Sequence, residues 1–507
     1  MGERAAWWAR AAAAAGLAAL AASCTVGPDY KEPKAAMPPA FQEASTAPAQ
    51  VPLSRTTPRE ADLSRWWTRF DDPQLDDLIR RALEGNLDLQ SVASRIRQAR
   101  EQEIIAGAAG LPSISANALD ARFHSNSNPL VGLGGPAAAG MPSTTNLHLY
   151  SAGFDASWEL DVFGGVRRGV EAARANTEAA EWQLRDGEVS LTAEVANDYL
   201  ALRAAQERLA IVRNELRRQQ DTLTLTQGRA RTGFVTELDV NQQRTQVDAT
   251  AAELPLLDAQ IRAMENALHV LLGEQPEAAT DFEAAAPLPA VPTELPAGLP
   301  SDLLRRRPDI RAAERRLAGA TANVGVAVAD LYPKFNLLGA LSFAANAFRG
   351  LGGLFTAKNF STLGAGQISW PVFEGGKLEA NVRASKEQAK QAYLAYRKSV
   401  LTALQDCEDS LVRYAAEQRR LGSLRRSAAS ARSSERIALQ QYRQGLVPFI
   451  NVLATETTLL NAQDEVVQSR QALAQDLVAV YKALGGGWSD ADVKRLEVSQ
   501  AARRGPR

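Results

Sequence analysis

From residue 152 to 160 the chain alternates: Ala152, Phe154, Ala156, Trp158 and Leu160 fall on one side of an extended strand and polar or small residues on the other. The stretch "SISANALDARF" before it carries a partial version of that alternation, in Ile114, Ala116 and Ala118. "KFNLLGALSF" and "TLGAGQISW" show strand character in the same order around a second loop. The pattern therefore predicts two β-hairpins, over 113–160 and 334–371. Runs of about 10 residues at about 3.3 Å each, tilted near 40°, cross the roughly 25 Å apolar band of an outer membrane. Trp158 and Trp370 stand at strand ends, where membrane barrels carry interface aromatics; soluble hairpins ending in Trp fit the same pattern.

Behind each hairpin the period changes. No proline occurs between Gly165 and Gly233, or between Gly376 and Gly445. Leu184, Leu191, Val195, Leu202 and Leu209 fit a seam of alternating three- and four-residue steps, and Leu394, Leu401, Leu404 and Leu411 keep such a seam in the second stretch. At 1.5 Å per residue these are rods on the order of 100 Å long. Return segments run from Gly233 to Gly273 and from Gly445 to Gly485, predicting helical hairpins over 166–273 and 377–485. Shorter helical stretches, from Asp88 to Pro112 and from Asp309 to Pro333, have the length to stack on the return helices and match one long rod.

These correspondences are a duplication. "GFVTELDV" at 233 answers "GLVPFINV" at 445, Trp158 answers Trp370, and Leu272-Gly273 answers Leu484-Gly485, always 212 positions apart. Upstream, Asp88-Leu89 pairs with Asp309-Ile310 and Leu111-Pro112 with Tyr332-Pro333, now 221 apart. The offset changes across the Gly-, Pro-, Asn- and Ser-rich stretch 124–146, which reads as a loop. The chain divides into repeats at 65–275 and 301–488, a Pro-rich linker at 276–300 and a tail at 489–507.

The first residues change the picture from fold to place. "AAAAAGLAALAAS" is too short to remain as a membrane helix and reads as the core of a signal peptide over 1–23. Cys24 directly after Ala-Ala-Ser resembles the lipidation site of bacterial lipoproteins, with Ala21 where Leu is usual; ordinary cleavage nearby is the alternative. Residues 24–64 are rich in Pro and Ala and read as an extended tether or as disorder. The only other cysteine, Cys407, reads as a buried helical thiol. A net charge of −1 gives no nucleic-acid footprint, three histidines give no metal set, and no nucleophile or phosphate motif is present. "GLGG" at 132–135 and 350–353 fits no dinucleotide fingerprint. With no other segment apolar enough to span as a helix, a crossing must use strands, and four strands cannot close a barrel alone. Three copies give twelve.

The segments "CTVGPDYKEP", "WWTRFDDPQLDDLIRRALEGNLDL", "RRPDIRAAERRL", "YPKF", "SWPVFEGG", "QYRQG" and "YKALGGGW" run from Cys24 to Trp488. Together they resemble the outer-membrane factors of tripartite efflux pumps, the TolC family, in its OprM-like and NodT-like lipoprotein branch. The resemblance implies a mixed α and transmembrane β fold: a homotrimeric 12-stranded β-barrel in the outer membrane, four strands per chain, continued into the periplasm by a long α-helical coiled-coil barrel. It implies a passive conduit and no enzyme, fed by an inner-membrane resistance-nodulation-division type transporter through a periplasmic adaptor. It implies no cofactor beyond covalent lipid, S-diacylglycerol and N-acyl, on Cys24. The two hairpin tips would dock the adaptor through Gly233, Phe234, Arg443, Gly445 and Val447, and Ile450, Leu238 and Asp239 would line the periplasmic aperture. Ala454 and Thr457 stand where relatives often carry Asp and Arg, and Asp239 is either part of a ring of three like charges or a solvated helix carboxylate. Other readings are a type I protein secretion conduit and a lipid-anchored coiled-coil scaffold without a pore. Drugs, solvents, metal ions and plant-derived aromatics all remain open as cargo.

Overall fold

The computed structural model describes residues 25–42, 55–57, 62–125, 145–276, 282, 286–292, 294–296, 298, 300–346 and 354–489. In chain order the main elements are α1 (Pro73–Gly85), α2 (Leu87–Ala108), β1 (Ser113–Ser125), β2 (Thr145–Leu160), α3 (Gly165–Arg231), α4 (Glu237–Leu272), α5 (Pro308–Ala329), β3 (Lys334–Asn346), β4 (Phe360–Ser369), α6 (Lys377–Arg443) and α7 (Phe449–Ala483). They form two compact units, one from 1–32, 98–177 and 315–393, the other from 33–97, 178–314 and 394–507. Each unit draws on both repeats. The duplication is therefore one of sequence rather than of separate bodies, because β2 of the first repeat pairs with β3 of the second.

In the first unit the four strands form one antiparallel sheet in the order β1-β2-β3-β4. Directly paired residues share a face. The register places Ile114, Ala116, Ala118, Ala152, Phe154, Ala156, Trp158, Leu337, Leu341, Phe343 and Ile368 on one side. Ser113, Asn117, Ser151, Asp155, Ser157, Asn336, Ser342, Ser361 and Gln367 lie on the other. The apolar face is broken by Asp120 opposite Tyr150, and the polar face carries Leu119, Leu338 and Leu363. Ile114, Phe154, Leu341 and Ile368 are exposed, so no described residue covers them. The two tryptophans pin equivalent turns: Trp158 Nε1 donates to the Gly110 carbonyl at 3.0 Å and Trp370 Nε1 to the Leu331 carbonyl at 3.1 Å. The tether starts here, with Val26 N donating to the Phe163 carbonyl at 3.1 Å and Arg168 Nη2 donating to Asp29 Oδ1 at 2.6 Å. Cys24 and both "GLGG" stretches lie outside the described residues.

The second unit is helical. Leu184, Leu191, Val195, Leu202 and Leu209 are buried, forming the expected seam of α3. On α6 the expected seam holds in part: Leu411 is buried and Leu404 packs against the core, but Leu394 and Leu401 are 52% and 62% exposed, and the buried row also takes Tyr396, Val400, Ala403, Cys407 and Tyr414. One residue turns a helix face by about 100°, and small Ala403 and Cys407 fit the inner row, leaving Leu394 and Leu401 on a face that no described residue covers. The Cys407 thiol donates to the Ala483 carbonyl at 3.3 Å, and burial pushes its pKa up to about 12. Phe41 is buried and Gln42 N donates to Glu408 Oε1 at 2.8 Å, so this part of the tether packs on the helices. A further piece, Arg55–Thr57, pairs in parallel with Glu294–Pro296 of the Pro-rich linker.

The return helices end at equivalent joints. A Cβ on Gly273 would meet the Gly85 carbonyl oxygen at 2.3 Å, so the end of α4 abuts the junction of α1 and α2. Asn86 serves both helices there: its Nδ2 donates to the Leu271 carbonyl at 2.9 Å, and its Oδ1 accepts from Asp88 N and Leu89 N at 2.9 and 3.0 Å. The second repeat places Arg307 at the matching position, donating through Nη1 to the Ala483 carbonyl at 3.1 Å. Residues 86 and 307 are 221 apart and residues 271 and 483 are 212 apart, the two offsets of the duplication.

Candidate functional site

Both helical hairpins turn at tips of the same construction. At the end of α3, Gly233 N donates to the Ala230 carbonyl and Phe234 N to the Arg229 carbonyl, each at 2.9 Å. At the end of α6, Gly445 N donates to Tyr442 and Leu446 N to Gln441, again at 2.9 Å. This double bond pattern closes a helix through a left-handed residue, and Gly233 and Gly445 adopt φ of +76° and +75°. Glycine is required here by backbone conformation rather than by crowding, since no atom lies within 4 Å of a Cβ built on Gly233.

The restart of the chain differs between tips. Thr236 and Asp239 form a capping box at the start of α4, with Thr236 N donating to Asp239 Oδ2 at 3.0 Å. At the start of α7 the cap position is Pro448, which makes no side-chain bond. Asp239 is thus engaged in holding its own helix. Phe234 and Leu446, the residues after the two glycines, are 76% and 69% exposed. Leu238 and Ile450 are exposed one turn on. Val447 is not part of that exposed surface; with Val235 it packs against the buried cluster of Tyr442, Phe449 and Val452. The exposed counterpart of Phe234 is Leu446, because the turn after a left-handed glycine points the next side chain outward and the following one inward.

One residue ties the tips together. Arg229 Nη1 donates to the Tyr442 carbonyl at 2.7 Å and to the Arg443 carbonyl at 3.3 Å, and its guanidinium lies 4.7 Å from the Tyr442 ring centroid. A cation on the last carbonyls of α6 satisfies acceptors that the helix cannot and opposes the negative end of its dipole. The matching position in the second repeat is Gln441, so this arginine has no counterpart there. Sequence reading passes over Arg229, one arginine among many on a long rod; the signal available was its place in the last turn of a helix ending at glycine.

Nothing at the tips assembles a nucleophile, base or metal set, and no group of metal-ligating side chains occurs among the described residues. An amphipathic antiparallel sheet on one chain with two rod-like helical hairpins defines the class: a barrel-forming membrane channel with a helical extension. The family model for outer membrane efflux proteins matches residues 78–274 and 299–486, and the chain belongs to that family. It is 36% identical over 430 residues to the pyoverdine export outer membrane protein OpmQ of Pseudomonas aeruginosa, covering 84% of this chain and 88% of that one. It is 31% identical over 478 residues to nodulation protein T of Rhizobium leguminosarum bv. viciae, covering 94% and 93%. Among solved structures, the outer-membrane channel OprN superposes with a TM-score of 0.82 at 36% identity, covering 92% of this chain and all of that one. The protein is an outer-membrane channel of an efflux system, with strands for the membrane and a helical tunnel for the periplasm. Its relatives are channel and efflux proteins, not enzymes.

Proposed function

We propose that three copies of the chain close into one conduit that receives compounds from an inner-membrane resistance-nodulation-division type transporter through a periplasmic adaptor. The observation that carries this reading is the four-stranded amphipathic sheet whose outer strands, β1 and β4, each pair on one side only. Open edges are costly in lipid, where each unpaired backbone group lacks water. Joining β4 of one copy to β1 of the next removes every edge, and twelve strands leave a polar lumen. The exposed rings of Trp158 and Trp370, with their N–H groups already satisfied, suit anchors at the membrane interface. Thr25 lies against Gly164 at the helix side of the sheet, which supports Cys24 as the carrier of S-diacylglycerol and an N-acyl chain entering the same leaflet.

At the hairpin tips, Phe234, Leu446 and the exposed Arg443 offer paired apolar contacts and a cation to the adaptor. Ile450 and Leu238, one turn inside, are the side chains that three copies would converge on the aperture.

Cysteines scanned along β1 (113–121) and β4 (361–369), in a Cys407→Ser background, test closure. Oxidation should yield covalent trimers as the largest species on denaturing gels. Covalent dimers alone, or a ladder extending beyond three, contradict a closed ring of three.

A further inference from the structure

Where α3 packs on α7 the helical core turns polar. Glu215, Gln219, Thr222 and Thr226 follow one another at steps of four, three and four along α3, and none is more than 5% exposed. Glu456 from α7 and Gln243 from α4 join them, 2% and 0% exposed. Gln219 Nε2 donates to Glu215 Oε1 at 3.1 Å, and Gln243 Nε2 donates to the Gln219 carbonyl at 2.8 Å. The Thr222 hydroxyl donates to Glu456 Oε1 at 3.3 Å. Three buried oxygens in this group, Glu456 Oε2, Gln219 Oε1 and Gln243 Oε1, have no protein donor.

Buried carboxylate oxygens without donors, beside a second carboxylate, are a costly arrangement when both groups are ionised. Protonating Glu456 turns one orphan acceptor into a donor and removes the repulsion at once. We propose that Glu215 and Glu456 form a proton-binding latch between the two helical hairpins: the bound proton keeps α3 packed on α7, and its release loosens the tips.

The charged groups acting on Glu456 are Glu215 and Arg218 from α3 and Glu435 from α6, while α4 offers the uncharged Gln243. Arg218 bonds Glu215, so Glu456 is the better seat for the proton. Burial, then the charge of Glu215, push the Glu456 carboxyl up from 4.5 to about 7. A carboxyl raised in this way contributes packing stability that is fully present below about 4.5 and lost as pH rises through about 7. Acid tightens the latch and alkali releases it. Thr222 is two helical turns, about 10 Å, from the tip arginine Arg229, and Glu456 follows Phe449 of the tip cluster by the same distance. Loosening therefore begins beside the tip contacts.

The packing half of this proposal stands on the residues alone; its effect on flow rests on the channel reading above. Hydrogen exchange on the full-length protein from pH 5.5 to 8.5, corrected for intrinsic rates, separates the two. Amides of 449–462 should lose protection as pH rises from 5.5 to about 7, by up to about tenfold per pH unit for one proton released, and level off above that. Amides of 473–483 on the same helix serve as the reference. The step should vanish in Glu456→Gln and move to lower pH in Glu215→Gln, which removes the repelling charge. Flat exchange in the wild type, or a step unchanged in Glu456→Gln, overturns the latch. Should Glu456→Gln fail to fold, an unmoved step in Glu215→Gln overturns it equally. Conductance measured alongside should rise with the same midpoint. A step in exchange with no conductance from any variant would leave the latch standing and remove the channel reading.

Discussion

Arg307→Ala should lower stability by about 1.5–3 kcal/mol, the loss of charge-assisted hydrogen bonds from a buried guanidinium to two partly exposed carboxylates. The guanidinium binds Asp309 through Nε and Nη2 at 3.0 and 2.7 Å, Asp406 through Nη2 at 3.0 Å and the Ala483 carbonyl through Nη1 at 3.1 Å. Burial opposes its charge, but Asp309 and then Asp406 outweigh that and hold it cationic. Removing it frees a helix C-terminal carbonyl and strands two carboxylates at one joint. Arg307→Lys keeps the charge without the planar fork and should recover only part of the loss. Asn86→Ala, at the matching joint, removes a neutral cap and should cost roughly 1–2 kcal/mol. Denaturant midpoints of the three variants, followed by far-ultraviolet circular dichroism, check this order.

Arg229→Ala should open the resting tips. It removes the donor to the Tyr442 and Arg443 carbonyls and the cation over the Tyr442 ring, while Val235, Val447, Phe449 and Val452 keep their packing. A cation at a helix C-terminus contributes about 0.3–1 kcal/mol when exposed and up to about 2 when partly buried. With three copies acting together, that shifts a closed tip toward open by one to several powers of ten (about 1.4 kcal/mol each). Arg229→Lys should retain much of the closure and Arg229→Gln little. Single-channel conductance and sensitivity of cells to large toxic compounds report the change. An unmoved conductance in Arg229→Ala would remove it from the gate.

Much of this architecture is legible in the sequence, because periodicity and spacing record it. Alternation through Ala152, Phe154, Ala156 and Trp158 gives a strand face, and the proline-free stretches give the rods. The constant offset between Gly233 and Gly445 marks the two turns as equivalent. What escapes is direction and environment. Leu394 and Leu401 read as core with Leu411, yet of these only Leu411 lies in the buried row, since hydropathy does not say which apolar positions a single chain covers and which are left for another copy. Val447 reads as surface beside its glycine, but the turn sends it inward and Leu446 outward. Glu215 and Glu456 carry no signal in the sequence that sets them apart from other helix acids; only the packing of three helices shows that they are buried together. Asp239 reads either as part of a ring of charges or as a solvated helix carboxylate, and neither reading anticipates its place in a capping box.

The central claim is a closed conduit built from these sheets and tips, and planar bilayers test it most directly. Purified full-length trimer should insert and give discrete conductance steps, small in the wild type and larger in Arg229→Ala. Well-folded trimer of both proteins that inserts into the bilayer and gives no steps would contradict it.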